Sequence, residues 1–123
     1  MTDGSGPIDA AAFANLVEIT GGDLAFVDEL VDTYLDDGAQ LVEQLRDAVV
    51  RGDVEALVRP VHSLKSSSLN VGALQLGERC RTLEEAARRG SVPHPAEWVA
   101  SIASGFDDAR RELLAERARR APG

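Results

Sequence analysis

The run Val61-His62-Ser63-Leu64-Lys65-Ser66-Ser67-Ser68 sets one of the chain's two histidines three residues ahead of its only lysine, while the other twelve basic residues are arginines. The two cations are not interchangeable. A guanidinium is a planar fork, whereas an ammonium is a point charge on a flexible stem with three donors. On a helix, positions i and i+3 share a face, so the imidazole of His62 and the ammonium of Lys65 can converge on one small anion. Ser66, at i+4, keeps the side chain beside the ring small and leaves a flank of the imidazole open to another protein.

A second pair extends this site. If the chain reverses near Gly72, Glu84 stands at about the height of His62 in an antiparallel helix pair. A carboxylate there can accept a hydrogen bond from Nδ1 of the imidazole, fix the tautomer and leave Nε2 as the exposed nucleophile. Arg88, one turn beyond Glu84, can lend charge to a bound anion; equally, Glu84, Glu85, Arg88 and Arg89 have the spacing of ordinary surface ion pairs. The other reactive side chains offer less. Cys80 falls on the apolar stripe of its helix and is expected to pack there. His94 lies between two prolines in a loop, and His62, His94 and Cys80 lack metal-ligand spacing. No Gly-Lys-Ser/Thr phosphate loop and no nucleophile elbow accompany the serines.

These residues depend on helices to position them. Residues 1–6 read as a flexible leader, residues 7–119 as one domain and residues 120–123 as a flexible tail. Pro7 and Asp9 open a short helix to about Val17, which Thr20-Gly21-Gly22 breaks. From Asp23, the residues Phe26, Val27, Leu30, Val31, Tyr34 and Leu35 recur at helical spacing. Leu41, Val42, Leu45, Ala48 and Val49 continue that pattern to Arg51-Gly52, so Gly38 marks a bend rather than a stop. Asp53 is an N-cap for a third helix, whose inward stripe is Leu57, Val61, Leu64, Ser68 and Val71. His62, Lys65, Ser66 and Leu69 form the adjoining, more exposed stripe. Pro60 falls inside this helix at a cost of about 3 kcal/mol and should kink it just before His62.

Asn70-Val71-Gly72 ends the third helix, and Ala73, Leu74, Leu76, Cys80, Leu83, Ala86 and Ala87 form a fourth, up to Arg89-Gly90. A loop over residues 91–96 leads to a last helix from Glu97 to about Arg119, with Val99, Ile102, Phe106, Ala109, Leu113 and Leu114 inward. Nothing reads as a strand. Four long helices and a short N-terminal one, joined by brief turns, predict an all-α fold, an antiparallel four-helix bundle.

Composition narrows the partners. The chain has 123 residues and a net charge of −8, with 13 acids against 3 bases in residues 1–61 and 8 against 10 in the remainder. Such an acidic half excludes a nucleic-acid binder, which needs clustered cations and stacking platforms. Arg117, Arg119 and Arg120 read as a solvated helix end. One cysteine rules out an internal disulfide, and no secretory or membrane-spanning segment is apparent, so a cytoplasmic protein is expected.

The stretch from His62 to Ala73, His-Ser-Leu-Lys-Ser-Ser-Ser-Leu-Asn-Val-Gly-Ala, resembles the signature of histidine-containing phosphotransfer (HPt) domains, in which a His-x-Leu-Lys-Gly-Ser-like run precedes a glycine turn. Arg59, Gly52-Asp53, Cys80 and Leu83-Glu84 extend the likeness over most of residues 9–115. The resemblance implies that His62 carries a phosphoryl group, that Lys65 steadies its oxygens, that Ser66 keeps the adjacent site small and that Glu84 contacts the histidine, with a basic residue at Arg88. It departs from the family pattern at Ser66, where Gly is favoured, at Leu69, where Gly or Ala is common, and at Pro60.

The function so implied is that of a phosphorelay intermediate. It would accept the group from a receiver-domain aspartate and pass it to another response regulator, with a hybrid histidine kinase upstream. No cofactor or ATP site is expected on the chain itself; Mg²⁺ belongs to the partner receiver domain. Docking would use an apolar patch of Val58, Leu69 and Leu41, with no nucleic acid or membrane partner, and a monomer is expected. A bundle that binds a kinase or regulator without phosphotransfer is the alternative, and a domain cut from a kinase is a third reading.

Overall fold

The computed structural model describes residues 6–120. All regular elements among them are helical: α1 (Ala10–Ile19), α2 (Leu24–Arg51), a 3-10 turn (Glu55–Leu57), α3 (Val58–Asn70), α4 (Leu74–Arg88) and α5 (Pro95–Arg120). Helices α2 to α5 form an antiparallel four-helix bundle in which α3 packs against α2 and α4, α5 packs against the same two, and α1 lies against α2. Residues 1–5 of the expected leader and 121–123 of the expected tail lie outside the described residues; Arg120 is still helical.

The caps follow from local chemistry. Asp9 accepts from the amides of Ala11 and Ala12, and Asp23 from that of Phe26, so both carboxylates satisfy amides that a helix start leaves unpaired. Helix α1 therefore begins after Asp9, not at Pro7, and runs two residues past Val17. Asp53 is not the N-cap of α3; its carboxylate accepts from the Ala56 amide in the preceding 3-10 turn at 3.1 Å.

That turn changes the expectation for Pro60. Because α3 begins at Val58, Pro60 occupies its first turn, where a backbone amide has no helical partner to lose. The irregularity stands at Glu55–Leu57, and His62 sits on regular helix instead of beyond a proline kink.

As expected, Gly38 does not end its helix. Helix α2 runs through it without a break. A Cβ at Gly38 would stand 2.6 Å from Cζ of Phe106, so the missing side chain lets the ring of α5 close onto α2. Phe106 in turn meets Tyr34 edge to face, with ring centroids 5.6 Å apart. The core around them is Val27, Val31, Leu45, Leu57, Val61, Leu64, Leu83, Ile102 and Leu113. Two residues expected inward are exposed: Phe26 at the start of α2 and Leu114 near the end of α5. Each stands at the border of its apolar stripe, near an end of the bundle.

Helix α5 starts at Pro95, two residues before Glu97, with the carbonyl of His94 accepting from the amides of Glu97 and Trp98. Arg117 is not a solvated helix end. It crosses to α2, bonding the Asp28 carbonyl and the Asp32 carboxylate at 2.9 Å each.

Candidate functional site

Helices α3 and α4 form a tight hairpin, closed by Gly72 at φ 89°, a left-handed value that favours glycine. Its carbonyl accepts from the Asp9 amide at 2.8 Å, and a Cβ there would come within 3.2 Å of the α1 backbone, so α1 is seated on the turn. Farther from the turn, Leu69 lies over Gly77, where a Cβ would fall 2.9 Å from its Cγ. This close approach brings the facing sides of α3 and α4 into contact.

On that face, Nδ1 of His62 lies 2.9 Å from Oε2 of Glu84. The His62 side chain is 52% exposed and that of Glu84 only 6%, so a solvent-facing ring rests on a buried carboxylate. Lys65 reaches the other oxygen, its Nζ 2.7 Å from Oε1. Arg88 binds Oε2 through both Nε and Nη2, at 3.0 and 2.7 Å. Three nitrogenous side chains thus meet on one carboxylate.

Burial pushes the Glu84 pKa up, but its contacts with Lys65, Arg88 and His62 outweigh this and bring it down to about 2. The group is an anion at any physiological pH. An anionic acceptor at Nδ1 assigns the ring proton to that nitrogen and turns Nε2 away as the bare, nucleophilic one.

The geometry amends two expectations. Lys65 and Arg88, expected to face an incoming anion, both rest on Glu84. They stand beside the ring, yet their charge is already partly neutralised. Ser66 is exposed at i+4 from His62, and Arg59 is exposed one turn before it. Leu41, Val58 and Leu69 are all half-buried; the first two pack against the core, and Leu69 spends part of its surface on Gly77.

Cys80 lies in the core on α4, its thiol pushed up to about 12 by burial and by the charge of Glu84, which makes it inert at neutral pH. Among the described residues, no group of three or more His, Cys, Asp or Glu side chains is placed to hold a metal ion. No helix among them is long and apolar enough to cross a membrane.

One polar pair escapes a reading by spacing alone. Ser68, on the inward stripe of α3, lies 2.8 Å from the Tyr34 hydroxyl of α2, both buried. Burial raises the Tyr34 phenol well above its usual value, so the pair is neutral. The available signal was that two inward polar groups on facing helices each need a partner.

Comparison with known proteins places this arrangement among relatives. A family model described as the Hpt domain matches residues 29–119. Histidine-containing phosphotransfer protein 4 of Arabidopsis thaliana is 34% identical over 69 residues, and the chain spans about half the length of that curated relative, 54%. The crystal structure of histidine-containing phosphotransfer protein B from Pseudomonas aeruginosa PAO1 is similar with a TM-score of 0.85 and 30% identity, over 95% of this chain and 99% of that one. A maize histidine-containing phosphotransfer protein shares the fold with a TM-score of 0.78 at 23% identity, over 93% of this chain and 91% of its own.

Proposed function

The chain belongs to the Hpt domain family, and from that membership we propose that it is a phosphorelay carrier that accepts a phosphoryl group on Nε2 of His62 from a receiver-domain aspartate and passes it to another response regulator. The observation that carries this reading is the exposed ring whose Nδ1 is held by a buried carboxylate, so that a single nitrogen faces outward.

A phosphoimidazole is a high-energy carrier, so the domain that holds it needs an accessible nitrogen and nearby cations and little else. Lys65, one turn along α3, is the side chain best placed to turn from Glu84 toward phosphoryl oxygens. Arg88 supplies a second cation from α4, and small Ser66 leaves room for the partner. ATP is consumed by a hybrid kinase, and Mg²⁺ is held by the receiver's own carboxylates, where it neutralises the group in flight. In this reading the receiver docks over α2 and α3, using the half-buried Leu41, Val58 and Leu69. The protein acts as a cytoplasmic monomer in this reading.

Incubation with a ³²P-labelled receiver domain tests it. Label should pass to the wild type in an acid-labile, base-stable linkage and fail to reach His62→Gln. Label on the His62→Gln variant overturns the assignment. A wild type that binds receivers but never takes label would be an interaction module instead.

A further inference from the structure

An amide and a carboxylate can both accept a hydrogen bond from Nδ1, and before phosphorylation either would select the same tautomer. They differ afterwards. Once Nε2 carries phosphorus, a proton on Nδ1 makes the ring a cation, which an adjacent anion stabilises and a neutral amide does not. We infer that Glu84 is a positioning residue that keeps the Nδ1 proton on phosphorylated His62, so that the ring departs as neutral imidazole when the phosphoryl group leaves.

This rests on the phosphocarrier reading and adds a statement about the outgoing step. The P–Nε2 bond breaks and its electron pair stays on Nε2. A P–O bond forms to the acceptor, a receiver carboxylate or water. The Nδ1 proton does not move, and Glu84 remains ionised throughout. Without that proton, the leaving group would be an imidazolate anion, a far poorer one.

Among the charged groups around the ring, the Glu84 carboxylate is the one in contact with Nδ1, and most of the others are paired. On α4, the ring faces Glu84, with Arg88 bound to the same carboxylate. On α3, Lys65 takes the other Glu84 oxygen and Arg59 is exposed one turn earlier. The 3-10 turn contributes Glu55, which lines one hollow with Arg59 and Arg88. On α2, Glu43 and Asp47 stand beside Pro60, paired with Arg46 and Arg51. Removing the Glu84 charge would take away the anion and also release Lys65 and Arg88 as unneutralised cations near the ring. Both effects expel the Nδ1 proton at lower pH.

The test phosphorylates the purified protein with phosphoramidate, which needs no partner, and follows hydrolysis of the phosphohistidine across pH. The wild type should stay labile to higher pH than Glu84→Gln, with the fall displaced by about one pH unit, or roughly tenfold in rate above it. Glu84→Asp, which keeps the charge, should recover part of the displacement. Nitrogen-15 spectra of the wild-type phosphoprotein provide a measurement that does not depend on a variant folding: Nδ1 should carry its proton throughout the labile range. Coincident profiles for wild type and Glu84→Gln, or an unprotonated Nδ1 where the wild type is still labile, overturn the inference and leave the carrier reading standing. If His62 takes no phosphate from phosphoramidate or from a receiver, the carrier reading fails and this inference falls with it.

Discussion

Tyr34 Oη and Ser68 Oγ, 2.8 Å apart, are a buried hydroxyl pair that joins α2 to α3. Ser68 lies on the helix that carries His62, so this bond helps set how α3 rests on α2. Removing one partner leaves the other buried without its bond, at about 1–3 kcal/mol, whereas removing both costs less than the sum. Tyr34→Phe and Ser68→Ala should each lower the urea midpoint, and the double variant should show a coupling of roughly 1 kcal/mol. Strict additivity in that cycle would show that the hydroxyls do not depend on each other.

Ionised Glu84 is a source of stability with a defined pH window. Its pKa falls from an ordinary 4.5 to about 2, so its contribution is fully present above 4.5 and is lost as pH drops toward 2. Urea titrations between pH 6 and 2 should show the wild type losing this margin relative to Glu84→Gln, with most of the loss below pH 4.5. A constant difference across the window would contradict it.

Lys65→Ala should act twice. It removes a cation from the proposed phosphoryl site and also strips Oε1 of Glu84 of its partner. We expect a stability loss of roughly 1–3 kcal/mol together with slower transfer, while phosphate still reaches His62. Equilibrium unfolding and label transfer measure the two effects separately, and wild-type behaviour in both would remove Lys65 from the site.

Gly38→Ala tests the seat of Phe106. Alanine favours helix by up to about 1 kcal/mol, but here its methyl would collide with the ring. Overpacking of this kind costs about 1–3 kcal/mol, so the variant should be destabilised despite its better helix propensity. Adding Phe106→Leu should restore part of the loss in thermal melts, because a smaller side chain vacates the space.

The bundle was legible because its signals are local and repeat: apolar stripes at helical spacing, carboxylates ahead of helices, glycines after them. Register counting about Gly72 was enough to set His62 level with Glu84, since a short turn leaves two antiparallel helices little freedom. What spacing could not supply was the direction of long side chains. Lys65 and Arg88 can reach outward or inward, and a buried carboxylate decides for inward. Pro60 was misread because nothing in the residue types separates a helix interior from a helix that begins four residues later after a 3-10 turn. Nor could spacing show that the missing side chain of Gly38 admits the ring of Phe106.

The hairpin at Gly72 has a consequence for the order of assembly. His62 and Glu84 are 22 residues apart in sequence, a local contact that two helices and one turn can make unaided. The α1 clamp on the same turn joins segments far more distant in the chain and must close a much larger loop. By contact order, the histidine and its carboxylate are expected to meet before α1 seals the turn. In the native state, the Asp9 amide should exchange with solvent through openings that leave the His62 pair intact. The chemistry belongs to the hairpin, and the rest of the bundle determines how long the hairpin keeps its shape.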